Sequence, residues 1–215
     1  MRRPTTTEWL AATAVGITTA VVASEYWSVW RRGRAPLPSE TDDVPAAAVE
    51  AAVETAEVAA TGYRLSPTRE NAALNLLLSY AITAGIVRLS TYLIRTRGSF
   101  GPFRNRSVRG RHIHHFIPGI VLAFIAGGVS VVSRNENLDP WLAVPLGVGT
   151  ALTLDEAALL VEFEDVYWSE EGILSVQVTL GTLSLLGATI LGARAFRRGE
   201  DEVLSSDGEQ LARAA

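Results

Sequence analysis

Three clustered histidines and a set of carboxylates within an apolar stretch are the reactive side chains of this chain. His112, His114 and His115 sit in Arg111-His112-Ile113-His114-His115-Phe116 and are all the histidines the chain has. Asp155 and Glu156 follow Leu154 inside an apolar stretch, and Glu162, Glu164 and Asp165 stand at its end, just before Val166-Tyr167-Trp168. Imidazole nitrogens and carboxylate oxygens that converge in a partly dry place suit a divalent transition metal: zinc, iron or manganese. His112 and His115 are three residues apart, the spacing of two ligands on one helical face. Asp155 and Glu162 are seven apart and share a face; Asp165 extends that stripe. Glu156 points about 100° away. The expected ligands are His112, His114, His115, Asp155 and Glu162. Glu156 is the candidate general acid–base or ring-orienting group. A metal so held would lower the pKa of a bound water and make a nucleophile of it.

These residues need helices to hold them, and the apolar residues are collected into five runs. The chain has 215 residues, 48% of them hydrophobic, and a mean hydropathy of +0.20. Each run approaches the ~20 residues of a spanning helix. The expected fold is all-α, a polytopic transmembrane bundle of five spans: 9–30, 71–94, 115–132, 141–163 and 173–196. The first reads as an anchor (residues 1–34), because Tyr26, Trp27 and Trp30 form an aromatic belt ahead of Arg31, Arg32 and Arg34. Residues 35–65 read as a linker with a short acidic helix over 46–60. Glu50, Glu54 and Glu57 there share one face, and its expected role is that of a solvated connector. Residues 66–198 form the four-helix core, opened by Ser66-Pro67, and 199–215 read as a disordered tail. Ala123 with Gly127, Gly147 with Ala151 and Ala188 with Gly192 are small pairs spaced for close helix contact.

Ser133 to Pro140 is too short for anything but an antiparallel turn between spans three and four. Hence the histidines, which open span three, and the acids, which close span four, share one membrane side. Asp155 lies roughly 12 Å below Phe163 at ~1.5 Å per residue. Arg88, inside span two, either snorkels to the interface or partners a carboxylate such as Glu156 in a network that Asp165 could join. Ionisable groups at such depth are functional candidates.

All 19 basic residues are arginines and there is no cysteine, which excludes disulfides and thiolate metal sites. Six arginines fall between positions 95 and 111. Their number places that loop, and with it the N-terminus, in the cytoplasm of a plasma-membrane protein. Arg104, Arg106, Arg109 and Arg111 are the candidate contacts for anionic lipid. No nucleic-acid motif accompanies them, and no phosphate loop or hydrolase serine elbow is present.

The motifs His112-Ile113-His114-His115-Phe116, Leu154-Asp155-Glu156 and Glu164-Asp165-Val166-Tyr167-Trp168 resemble those of a family of small multi-pass membrane proteins of high-GC Gram-positive (actinobacterial) bacteria. The resemblance covers roughly residues 64–195. It implies a membrane location and brings no reaction with it.

Three functions follow as expectations. The first is a metal-binding membrane protein, acting as an enzyme on a lipid or other amphiphile. The second is a non-enzymatic membrane subunit whose His–acid–Arg88 network sets packing or senses pH, with a homo-oligomer or a membrane protein as partner. The third is transport by an oligomer, which the lack of an inverted repeat disfavours.

Overall fold

The computed structural model describes residues 6–97, 107–108, 111–112, 116–133, 135–155 and 170–214. The fold is all-α. The helices are α1 (Thr6–Arg32), α2 (Val44–Leu65), α3 (Thr68–Arg97), α4 (Phe116–Ser133), α5 (Asp139–Asp155) and α6 (Glu170–Ala214), with one 3-10 turn at Glu136–Leu138. A two-residue antiparallel ladder pairs Ser107 with His112 and Val108 with Arg111.

Local chemistry sets the helix ends. Asp43 caps α2 by accepting the Ala46 amide at 3.1 Å, with Pro45 in the first turn where its missing N–H costs nothing. Pro67 forces Ser66 into extended geometry (φ −77°, ψ 146°), so α2 stops there and α3 starts afresh. Asn71 ties the joint: its Nδ2 donates to the Tyr63 carbonyl, one of the orphan carbonyls of α2, at 2.8 Å. Asn135 accepts the Asn137 amide at 3.2 Å and closes the turn between α4 and α5. Pro145 lies inside α5 and leaves the Trp141 carbonyl without its usual helical donor.

Three helical stretches are long and apolar enough to cross a membrane: Thr6–Arg32, Thr68–Leu93 and Val176–Ser205. The apolar helix α4 is shorter, and the described part of α5 has 17 residues. The expected span 141–163 is thus seen only to Asp155; residues 156–163 lie outside the described residues.

The pattern of burial is the reverse of a water-soluble domain. The core is mostly alanine (Ala14, Ala47, Ala51, Ala126, Ala143, Ala151, Ala188, Ala195), and the largest fully buried side chains are Val29 and Val58. Large apolar groups face outward, with Phe124 78% and Val131 81% exposed. In water such a surface would be an aggregation hazard. In lipid, helices gain nothing by hiding leucine from the tails, and small residues let backbones approach closely.

The chain divides into two compact units, residues 1–14 with 72–188, and residues 15–71 with 189–215. In the first, α4 and α5 are antiparallel at backbone contact. A methyl on Gly119 would stand 3.0 Å from the Gly149 carbonyl oxygen, and one on Gly149 would stand 2.7 Å from the Ala123 amide. Ser130 Oγ meets Asp139 Oδ1 at 3.0 Å near the turn. The small pair is therefore Gly119 with Ala123, one turn earlier than the expected Ala123 with Gly127. Gly147 packs on α3, against Leu76, Ser79 and Tyr80.

In the second unit α1 and α6 run parallel. Thr18 Oγ1 meets Thr189 Oγ1 at 2.8 Å, and Ser28 Oγ donates to Glu200 at 2.8 Å. α2 runs antiparallel to α6. A methyl on Gly62 would strike the Ala195 carbonyl oxygen, and one on Gly199 would strike that of Val58. Val29, Val58 and Val203 form the cluster between the three helices, with Phe196 against it.

Two expectations are corrected here. In the stretch 199–215, expected as a disordered tail, positions 199–214 continue α6, and Glu200 and Val203 at its start are buried in this unit. The solvated connector is instead a packed helix. Ala47, Ala51, Glu54, Val58 and Gly62 recur every three or four residues along its buried face. Glu54 is 2% exposed, and its two oxygens take the Arg34 amide at 3.1 and 3.0 Å. Glu57 reaches the Arg34 guanidinium at 3.0 Å.

Candidate intramembrane ion-pair site

The α3–α5 pair is held in register at three heights. Asn75 Nδ2 donates to the Pro140 carbonyl at 2.8 Å. Two turns on along α5, Gly147 lets the backbones touch: a methyl there would lie 2.5 Å from the Leu76 carbonyl oxygen and 3.2 Å from the Tyr80 amide. The third height is Arg88, whose Nη2 is 2.8 Å from Asp155 Oδ1. From Asn75 to Arg88 is roughly 20 Å along the helix at ~1.5 Å per residue. Asn75 and Pro140 thus mark one end of the helix pair, and Arg88 and Asp155 the other.

The pair is shielded unevenly. The Asp155 side chain is 13% exposed and that of Arg88 36%. A carboxylate withdrawn from water this far must be paired or neutralised. The guanidinium provides the partner, and its planar fork keeps other donors for the interface. Tyr80, two turns before Arg88 on α3, is buried. α6 supplies the third contact: Gln177 Nε2 donates to the Leu154 carbonyl at 2.6 Å and to the Asp155 carbonyl at 2.8 Å. An amide that satisfies backbone carbonyls across helices is the usual polar glue of membrane bundles. Three helices therefore meet at Asp155: α3 through an ion pair, α6 through an amide, and α5 itself.

Arg88 and Asp155, singled out separately in the sequence, are brought together. The expectation had Arg88 snorkel or pair with a carboxylate such as Glu156, and gave Asp155 to a metal; in the structure Arg88 is a partner of Asp155. Gln177 was missed, although a lone amide in the run 173–196 is a legible sign. His112 is in the short ladder, paired through its backbone with Ser107, and Arg111 pairs with Val108. His114, His115, Glu156, Glu162, Asp165, Arg104, Arg106 and Arg109 lie outside the described residues. Among the described residues no group of three or more histidine or acidic side chains is placed to hold a metal.

The packing of α4 fixes the level of its first residue. Gly119 lies against Leu152 and Thr153. With the two helices antiparallel, Phe116, the first residue of α4 and the one after His115, comes level with Asp155 to within about one turn.

Comparison of the chain with protein families, with curated proteins and with solved structures gives no match in any of the three.

Proposed function

We propose that this chain is a multi-pass membrane subunit, non-enzymatic, in which the Arg88–Asp155 pair with Gln177 locks α3, α5 and α6 into one arrangement. The single observation that carries this is the pair itself: opposite charges 2.8 Å apart, one of them within a stretch apolar enough to span the membrane. Such a pair is a poor source of stability compared with apolar packing, but removing one partner alone is severe, so it specifies arrangement. The five apolar helices α1, α3, α4, α5 and α6 are the proposed spans. The arginines between positions 95 and 111 support a cytoplasmic side for that end of α3 and for the N-terminus, in the plasma membrane.

A second reading is favoured by the level of Phe116 with Asp155. On it, His112, His114, His115, Asp155 and Glu162 gather around zinc, iron or manganese, with Glu156 beside them. Metal analysis of the purified protein separates the two. The first predicts no stoichiometric metal, and a loss of thermal stability for Asp155→Asn that His115→Ala does not share. One bound metal per chain, lost in both variants, would establish the second and reject the first.

A further inference from the structure

The face of α2 opposite its buried stripe is also apolar. Val49, Val53, Ala56 and Ala60 follow one another at spacings of four, three and four, and all are exposed. Val49 and Val53 are 64% and 65% exposed. Glu50, Glu57 and Arg64 run along one flank of this stripe at intervals of seven. Alanines flank the other side: Ala52 and Ala59 border an apolar groove of 620 Å³ between α2 and the Thr18–Tyr26 part of α1. α2 packs lengthwise along α1 and α6, beside the Thr18–Tyr26 part of a proposed span, so it does not lie flat on a bilayer. A stripe of valine and alanine there allows close approach of a second helix, and Glu50 and Arg64 on its flank favour a partner that pairs them.

We propose that this stripe is a homodimer interface, formed with the same α2 stripe of a second copy in antiparallel orientation. The charges argue for the copy and for its direction. A twofold axis beside Ala56 and Glu57 sets Val53 of each copy opposite Ala60 of the other. The same axis sets Glu50 of each copy opposite Arg64 of the other, two ion pairs from one symmetric contact. Glu57 falls near the axis, where two like charges would meet, and Arg34 holds it at 3.0 Å in each copy. A parallel pairing would put Glu50 and Arg64 against alanines and form no ion pair. The spacing of four, three and four is that of a knobs-into-holes seam, with small residues that permit close approach.

The interface stands on other residues than the Arg88–Asp155 pair, so either can fail without the other. The test uses the full chain in lipid vesicles. The chain has no cysteine, so single-cysteine variants report without background. Ala56→Cys is expected to cross-link to a dimer with a short bismaleimide, and Val49→Cys, far from the axis, is not. Adding Glu50→Arg to Ala56→Cys should lower the dimer yield about fivefold, and adding Arg64→Glu to that variant should restore it. Val53→Glu, on an exposed site, should abolish the dimer and leave the thermal transition of the chain unchanged. Three results would overturn the proposal: Ala56→Cys staying monomeric, Val49→Cys cross-linking as well as Ala56→Cys, or a yield that ignores the charge swap and Val53→Glu.

Discussion

Asp155 joins three helices, because a guanidinium from α3 and an amide from α6 both converge on it or its carbonyl. Asp155→Ala strips Arg88 of its partner and leaves an unpaired cation near the hydrocarbon. The expected cost is about 2–3 kcal/mol, below the full buried-pair figure because Arg88 keeps access to water. Unfolding in a detergent titration measures it. Gln177→Leu removes the donor to two carbonyls and should cost about 1 kcal/mol by the same assay. Glu54 is the corresponding residue of the second unit. Its carboxylate holds the Arg34 amide, so Glu54→Ala leaves that N–H unmet and is expected to cost about 2 kcal/mol. A Glu54→Ala protein as stable as wild type would show that the Arg34 turn holds without it.

At the scale of elements, glycines decide how near the helices come. A side chain at Gly147 has backbone in its way, since its first carbon would lie 2.5 Å from the Leu76 carbonyl oxygen. Gly147→Val is therefore expected to push α5 off α3 and to loosen the Arg88–Asp155 contact, lowering the unfolding midpoint. Gly192 has nothing within 4 Å of such a carbon, so Gly192→Ala should be neutral or stabilising by up to about 1 kcal/mol, through helix propensity alone. The contrast shows what periodicity can and cannot tell. Apolar runs locate the starts of α1, α3, α4, α5 and α6 to within three residues, because composition suffices for that. The spacing of Ala188 with Gly192 and of Gly147 with Ala151 is the same, and only tertiary packing says that Gly147 is closed and Gly192 open. The buried stripe of α2 was hidden for a similar reason. Alanine is neutral in any hydropathy pattern, and a glutamate in the stripe, Glu54, reads as solvent-facing until its partner Arg34 is seen. The helix at 199–214 was masked by charges such as Glu200, which is buried in the fold and joined to Arg32 and Ser28. Of the candidate site, Arg88 and Asp155 were legible as ionisable residues in apolar runs. Their pairing was not, since depth along a helix does not give rotation about it.

For the whole molecule, alanine inside and phenylalanine, valine and tryptophan outside is an arrangement that suits lipid and not water. Single cysteines test it. Phe124→Cys and Val131→Cys, in a chain with no other thiol, should react poorly with a charged maleimide in sealed vesicles and readily after solubilisation in denaturant. Ready reaction in the vesicle would place α4 in water. Coupling between Arg88 and Asp155 measures directly whether the two charges lock α3 to α5. In a cycle of Arg88→Leu, Asp155→Leu and the double variant, unfolded in the same detergent, the pair is predicted to show a coupling of at least about 1 kcal/mol. The double variant should then be more stable than either single one. Losses that add to within about 0.3 kcal/mol would mean that the two charges act separately, and that the lock between α3 and α5 does not exist.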